Sequence, residues 1–83
     1  MRTIKYSHQF IKDWKKAKKT PFACNIQKLI ALVITNPFQT PPPYEKLRGY
    51  ENTYSRRINE QHRLVYVVVG DTIEFARCWS HYE

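Results

Sequence analysis

Apolar residues recur along this chain first at helical spacing and then at strand spacing, and the changeover falls at a proline run. Ile4 and Tyr6 suggest a short opening strand. Ser7 has the chemistry of a helix N-cap, since its side-chain oxygen can accept from a free N–H of the first turn. From there to Lys19, the residues Phe10, Ile11, Trp14 and Ala17 fall on one face, while Lys12, Lys15, Lys16, Lys18 and Lys19 fill the other. Thr20 before Pro21 restarts the helical signal, because proline fits the first helical position. Ile26, Leu29, Ile30 and Val33 supply a second apolar face, which should stop near Asn36-Pro37. Two short helices joined by a tight break read as a helical hairpin.

The stretch Pro37-Phe38-Gln39-Thr40-Pro41-Pro42-Pro43 cannot continue a helix and makes a poor strand, so it reads as a stiff, extended connector. Beyond it the pattern predicts strands over Tyr44 to Leu47, Tyr54 to Asn59, Arg63 to Val69 and Thr72 to Trp79. Gly49, Asn59-Glu60-Gln61 and Gly70-Asp71 mark the turns between them. The expected fold is α+β, with two N-terminal helices packed on a small antiparallel sheet and residues 1–83 forming one domain.

Register decides which side chains of the last two strands meet. A clean two-residue turn at Gly70-Asp71 puts Val69 opposite Thr72 and Arg63 opposite Cys78, with His81 on the other face from Arg63. A joint role for Arg63 and His81 therefore requires a bulge, an odd loop or a terminus that leaves the strand.

Charge narrows the partners. Fourteen Lys and Arg against seven Asp and Glu give +7 over 83 residues, which favours nucleic acid, an anionic membrane or an acidic protein. The membrane reading fails because the longest apolar run, Leu29 to Ile34, is only six residues. Met1-Arg2-Thr3-Ile4-Lys5 leads into polar sequence rather than an apolar signal core, so a soluble cytoplasmic protein is expected. Cys24 and Cys78 are far apart and match no metal spacing, and two buried free thiols are the expectation. Three scattered histidines add no zinc-binding pattern, so neither a metal nor a cofactor is expected.

Three arginines (Arg56, Arg57 and Arg63) stand within eight residues, and His81-Tyr82 stand beside each other farther on. Arginine binds phosphate through a planar fork, and histidine exchanges protons near neutral pH. RNA cleavage by side chains alone needs a base for the 2′-hydroxyl, a cationic clamp for the phosphorane-like transition state and an acid for the leaving 5′-oxygen. Glu45, Arg63 and His81 are residues of those types. Tyr82 can stack on a base, hydrogen-bond a phosphate or share the acid's role. Lys46, Arg48, Arg56, Arg57 and Arg77 would neutralise backbone phosphates. Each residue also has a plain structural role open to it. Glu45 can be a solvated carboxylate, Arg63 can pair with Glu60 or Glu74, and His62 can hydrogen-bond in its turn. Tyr50, Tyr54 and Tyr82 are the stacking candidates, whereas Tyr6, Phe10 and Trp14 read as core.

Tyr54-Ser55-Arg56-Arg57-Ile58, then Glu60-Gln61-His62-Arg63-Leu64-Val65-Tyr66, with a closing His81-Tyr82, resembles the YoeB/Txe family of toxins from bacterial toxin–antitoxin pairs, within the RelE-like superfamily. The likeness is close over Tyr54 to Val67 and at His81-Tyr82, looser around Asn36-Pro37-Phe38 and Glu45-Lys46-Leu47, and weak over the first 35 residues. It implies a compact sheet with two packed helices and an endoribonuclease that cuts mRNA in the ribosomal A site. It also implies a cognate antitoxin that wraps and inhibits the toxin. By the same resemblance Glu45 is the base, Arg63 the transition-state arginine, His81 the acid with Tyr82 beside it, and Arg56 and Arg57 are RNA contacts. Two rival readings remain open: a basic ribosome- or RNA-binding inhibitor that does not cut, and a protein-interaction subunit. Monomer and homodimer are both open as well.

Overall fold

The computed structural model describes residues 2–41 and 43–80. In chain order the elements are β1 (Thr3–Tyr6), α1 (His8–Ala17), α2 (Ala23–Thr35), β2 (Tyr44–Lys46), β3 (Thr53–Arg57), β4 (Arg63–Val69) and β5 (Thr72–Ser80). The strands form one sheet in the order β1-β5-β4-β3-β2. Two helices precede the four later strands as expected, but the sheet is mixed rather than antiparallel. A strand precedes the helices, and β1 runs parallel to β5 with Thr3 opposite Thr72 and Tyr6 opposite Phe75. A four-residue strand carries no local signal for the direction of a partner so distant in sequence.

Ser7 caps α1. Its Oγ accepts from the Phe10 N–H at 3.0 Å and donates to the Ala76 carbonyl at 2.7 Å, so the cap also ties the helix start to β5. The face that α1 buries is Phe10, Asp13 and Ala17, while Ile11 is exposed and Trp14 is only partly covered. The departure from the expected face is Asp13. Its carboxylate accepts from Arg77 Nε at 3.1 Å, Arg77 Nη2 at 3.3 Å, the Cys78 N–H at 3.3 Å and Gln9 Nε2 at 2.9 Å. Burial pushes this carboxyl up, but the hydrogen bonds from Arg77 and Gln9, with the Arg77 charge, outweigh it and hold Asp13 below its ordinary value.

Helix α2 begins at Ala23, after a turn in which Thr20 Oγ1 accepts from the Phe22 N–H at 3.2 Å, and ends before Pro37. It buries Ile26, Leu29 and Val33. These join Phe10 and Ala17 against Ile58, Leu64, Tyr66, Ile73, Phe75 and Cys78 on the inner face of the sheet. Cys78 is buried, and burial, reinforced by the nearby Asp13 charge, pushes its thiol up to about 12. Cys24 is exposed rather than buried as expected, because it lies off the α2 stripe defined by Ile26, Leu29 and Val33. Among the described residues, no helix is long and apolar enough to cross a membrane.

The β4–β5 hairpin combines the clean turn with the bulges. Val69 faces Thr72 and Tyr66 faces Phe75, but then Val65 faces Arg77 and Arg63 faces Ser80. Two register shifts on the β5 side thus bring Ser80, not Cys78, opposite Arg63.

Candidate active site

Glu45 lies on the three-residue edge strand β2, directly opposite Ser55 of β3. Ser55 faces Val65 of β4, and two residues along the same strands Arg57 faces Arg63. Residues two apart on a strand share a face, so Glu45, Ser55, Arg57 and Arg63 meet on the side turned away from the core. With Pro43 they line a cleft of about 290 Å³. Arg63 Nη1 stands 3.7 Å from Glu45 Oε2, their side chains 23% and 69% exposed. Glu60 and Glu74, the alternative partners suggested by sequence, do not take that place. Two guanidiniums beside one carboxylate leave a net positive cleft in which an anion is welcome and a base is at hand.

Arg56 has the opposite fate, and this corrects its assignment as an RNA contact. It is completely buried on the core side. Its Nη2 donates to the carbonyls of Pro37 at 3.0 Å and Gln39 at 2.9 Å, and its Nε to Tyr66 Oη at 3.2 Å, with the guanidinium over the Tyr44 ring. Tyr66 Oη donates in turn to the Pro37 carbonyl at 2.8 Å. Burial raises the Tyr66 phenol above its ordinary value against the opposing pull of Arg56, so it stays a donor. The arginine therefore anchors the proline-rich connector that leads into β2 and so positions Glu45.

Arg77 is half-buried and forms the ion pair with Asp13, which ties its guanidinium to α1. Lys46 and Arg48 are exposed around the β2–β3 turn, where with Gly49, Tyr50 and Glu51 they edge a shallow hollow. Tyr50 is 63% exposed and keeps its face available. Tyr54 does not, being packed among Phe38, Tyr44 and Tyr66. The His62 main chain closes the β3–β4 turn, its N–H donating to Asn59 Oδ1 at 2.8 Å, while its ring stacks on Trp79. His81 and Tyr82 lie outside the described residues. Sequence reasoning missed Asp13 and Ser55: an acid within a lysine-rich helix and a serine within a strand carry no local mark of burial.

This two-helix, five-strand α+β fold is shared with solved toxins of the toxin–antitoxin class. It superposes on a YoeB dimer structure from Staphylococcus aureus with a TM-score of 0.82 and 33% identity over 98% of each chain. It also superposes on the YoeB–YefM complex of the same organism, with a TM-score of 0.80 and 32% identity over 99% of each chain. Toxin YoeB of Escherichia coli K12 is 36% identical over 70 residues, covering 83% of this chain and 82% of the relative. The family model for YoeB-like toxins of bacterial type II toxin–antitoxin systems matches residues 5–82, including the N-terminal part where the motif likeness is weak. The chain belongs to this YoeB-like toxin family.

Proposed function

We propose that this toxin is a ribosome-dependent mRNA endoribonuclease working by acid–base chemistry on side chains alone. The observation that carries the reading is the meeting of Glu45, Arg57 and Arg63 in one cleft from three separate strands. Glu45 would take the proton from the 2′-hydroxyl, and its exposure leaves it open to substrate. Arg63 would turn from Glu45 to the scissile phosphate and meet the charge that gathers there, with Arg57 beside it. His81 follows Ser80, the register partner of Arg63, in the chain and is assigned the acid's role from the family resemblance, with Tyr82 supporting it. Lys46 and Arg48 would hold the backbone at the β2–β3 turn.

Partners follow from the same reading. The Staphylococcus aureus relative is described as a complex with YefM and as a dimer. A cognate antitoxin for this basic chain is expected to bring acidic side chains, and self-association into a homodimer is the second expected assembly. The cytoplasm, where ribosomes translate, is the proposed compartment.

Primer extension on mRNA from a reconstituted translation reaction tests the reading, comparing the wild type with Glu45→Gln, Arg63→Ala and His81→Ala. New 3′ ends that need ribosomes and fade in all three variants are expected. Intact mRNA with translation halted would replace the nuclease with a non-cleaving binder. Intact mRNA with translation unaffected would leave an interaction subunit.

A further inference from the structure

Ser55 has no part in the scheme above, yet its chemistry is unusual for its place. It is completely buried, it lines the cleft with Glu45, Arg57 and Arg63, and its Oγ has no hydrogen-bond partner among the described residues. A buried hydroxyl without a partner is a stability cost that an alanine of nearly the same shape would not carry. Such a cost is understandable where the group finds its partner in another state of the site.

The resting partner of Glu45 is Arg63, at a loose 3.7 Å. When Arg63 turns to a phosphate, an exposed carboxylate on a short edge strand loses the contact that orients it. Ser55 is the residue directly across from Glu45 in the ladder. Directly opposed residues on antiparallel strands have Cβ atoms roughly 4.5–5.5 Å apart, a gap that a hydroxyl and a glutamate side chain can bridge. The other charged groups facing Glu45 are Arg57 from β3 and Arg63 from β4, and both would be drawn toward phosphate.

We propose that Ser55 is the positioning residue of Glu45: its Oγ–H becomes the donor to the carboxylate when Arg63 leaves it for the substrate phosphate. The inference rests on the nuclease reading for its catalytic consequence but not for the contact itself. A donor to the charged form keeps a carboxyl ionised at lower pH, so the hydroxyl would hold Glu45 competent as a base.

Two measurements on Ser55→Ala test this. In ribosome-dependent cleavage followed across pH 5–8, KM should hold, kcat should fall by about tenfold, and the acid limb should move up by roughly half to one pH unit. Its melting temperature should equal or exceed that of the wild type, which separates the effect from lost packing. Independently, the Glu45 carboxyl followed by carbon NMR with saturating inorganic phosphate should titrate at higher pH in Ser55→Ala than in the wild type. Identical titrations would overturn the proposal, as would an unchanged cleavage profile. A wild type that fails to cleave while the two titrations differ would remove the nuclease reading and leave the Ser55–Glu45 contact standing.

Discussion

The imidazole of His62 lies flat against the indole of Trp79, with ring centroids 3.7 Å apart and planes 15° from parallel. The two rings sit where the β4–β5 pairing is irregular. His62 directly precedes Arg63, and Trp79 directly precedes Ser80, its register partner. Phe22 approaches Trp79 from the α1–α2 turn, its ring centroid 6.0 Å away. The end of β5 is therefore fastened by stacked rings where the ladder shifts.

Removing the stack should be visible without any assay of function. In a Trp14→Phe background, which leaves Trp79 as the sole indole, His62→Ala should red-shift the emission and cost about 1 kcal/mol in urea unfolding. His62→Phe should restore both. An unshifted emission in the alanine variant would mean that the rings do not stack in solution.

Arg56 and Arg57 are adjacent in sequence and face opposite sides of the sheet. Arg56→Ala should cost about 2–4 kcal/mol, because it takes the donor from the Gln39 carbonyl and leaves the Pro37 carbonyl and the Tyr66 hydroxyl group with only each other. Arg57→Ala should leave stability within about 0.5 kcal/mol of the wild type. It should also flatten the salt dependence of single-stranded RNA binding, the log–log slope falling by about 0.7 for one lost phosphate contact. Denaturant melts and fluorescence anisotropy at several salt concentrations measure the two. A reversal of the two phenotypes would contradict the placement of both side chains.

The same pair shows how far the sequence could be read. Strand positions, turn residues and the Ser7 cap were legible because each depends on a few neighbouring residues. Arg56 and Arg57 look alike locally, and only the pairing of Arg57 with Arg63 decides which of them faces the cleft. Asp13 was unreadable for the same reason, since its partner Arg77 is 64 residues away. The parallel β1–β5 pairing and the two register shifts are likewise settled by packing between distant segments. The convergence of Glu45 and Arg63 was anticipated through the family resemblance, not through spacing.

The two thiols should behave as different chemical species. Cys24 is exposed, whereas Cys78 is buried with its thiol pushed up to about 12. Iodoacetamide at pH 8 should modify the native protein at Cys24 alone, and both sites once urea is added. Mass spectrometry counts the adducts. Rapid native labelling of Cys78 would mean that the α1–β5 contact opens readily.

Asp13 sets an acid limit on the fold. Its carboxyl is held below the ordinary 3.8, so the unfolded chain takes up a proton at higher pH than the native one does. The stability it contributes is then fully present above 3.8 and is lost as pH falls through the lowered native value. Asp13→Asn should cost about 1–3 kcal/mol at pH 7, since the Arg77 guanidinium and the Cys78 N–H lose a charged acceptor. The difference from the wild type should shrink as pH falls from 3.8 toward the lowered native value, because there the unfolded chain binds the Asp13 proton and the native one does not. Urea melts at a series of pH values read this directly. Parallel stability curves for the two proteins through that window would show that the Asp13–Arg77 pair does not hold α1 to β5.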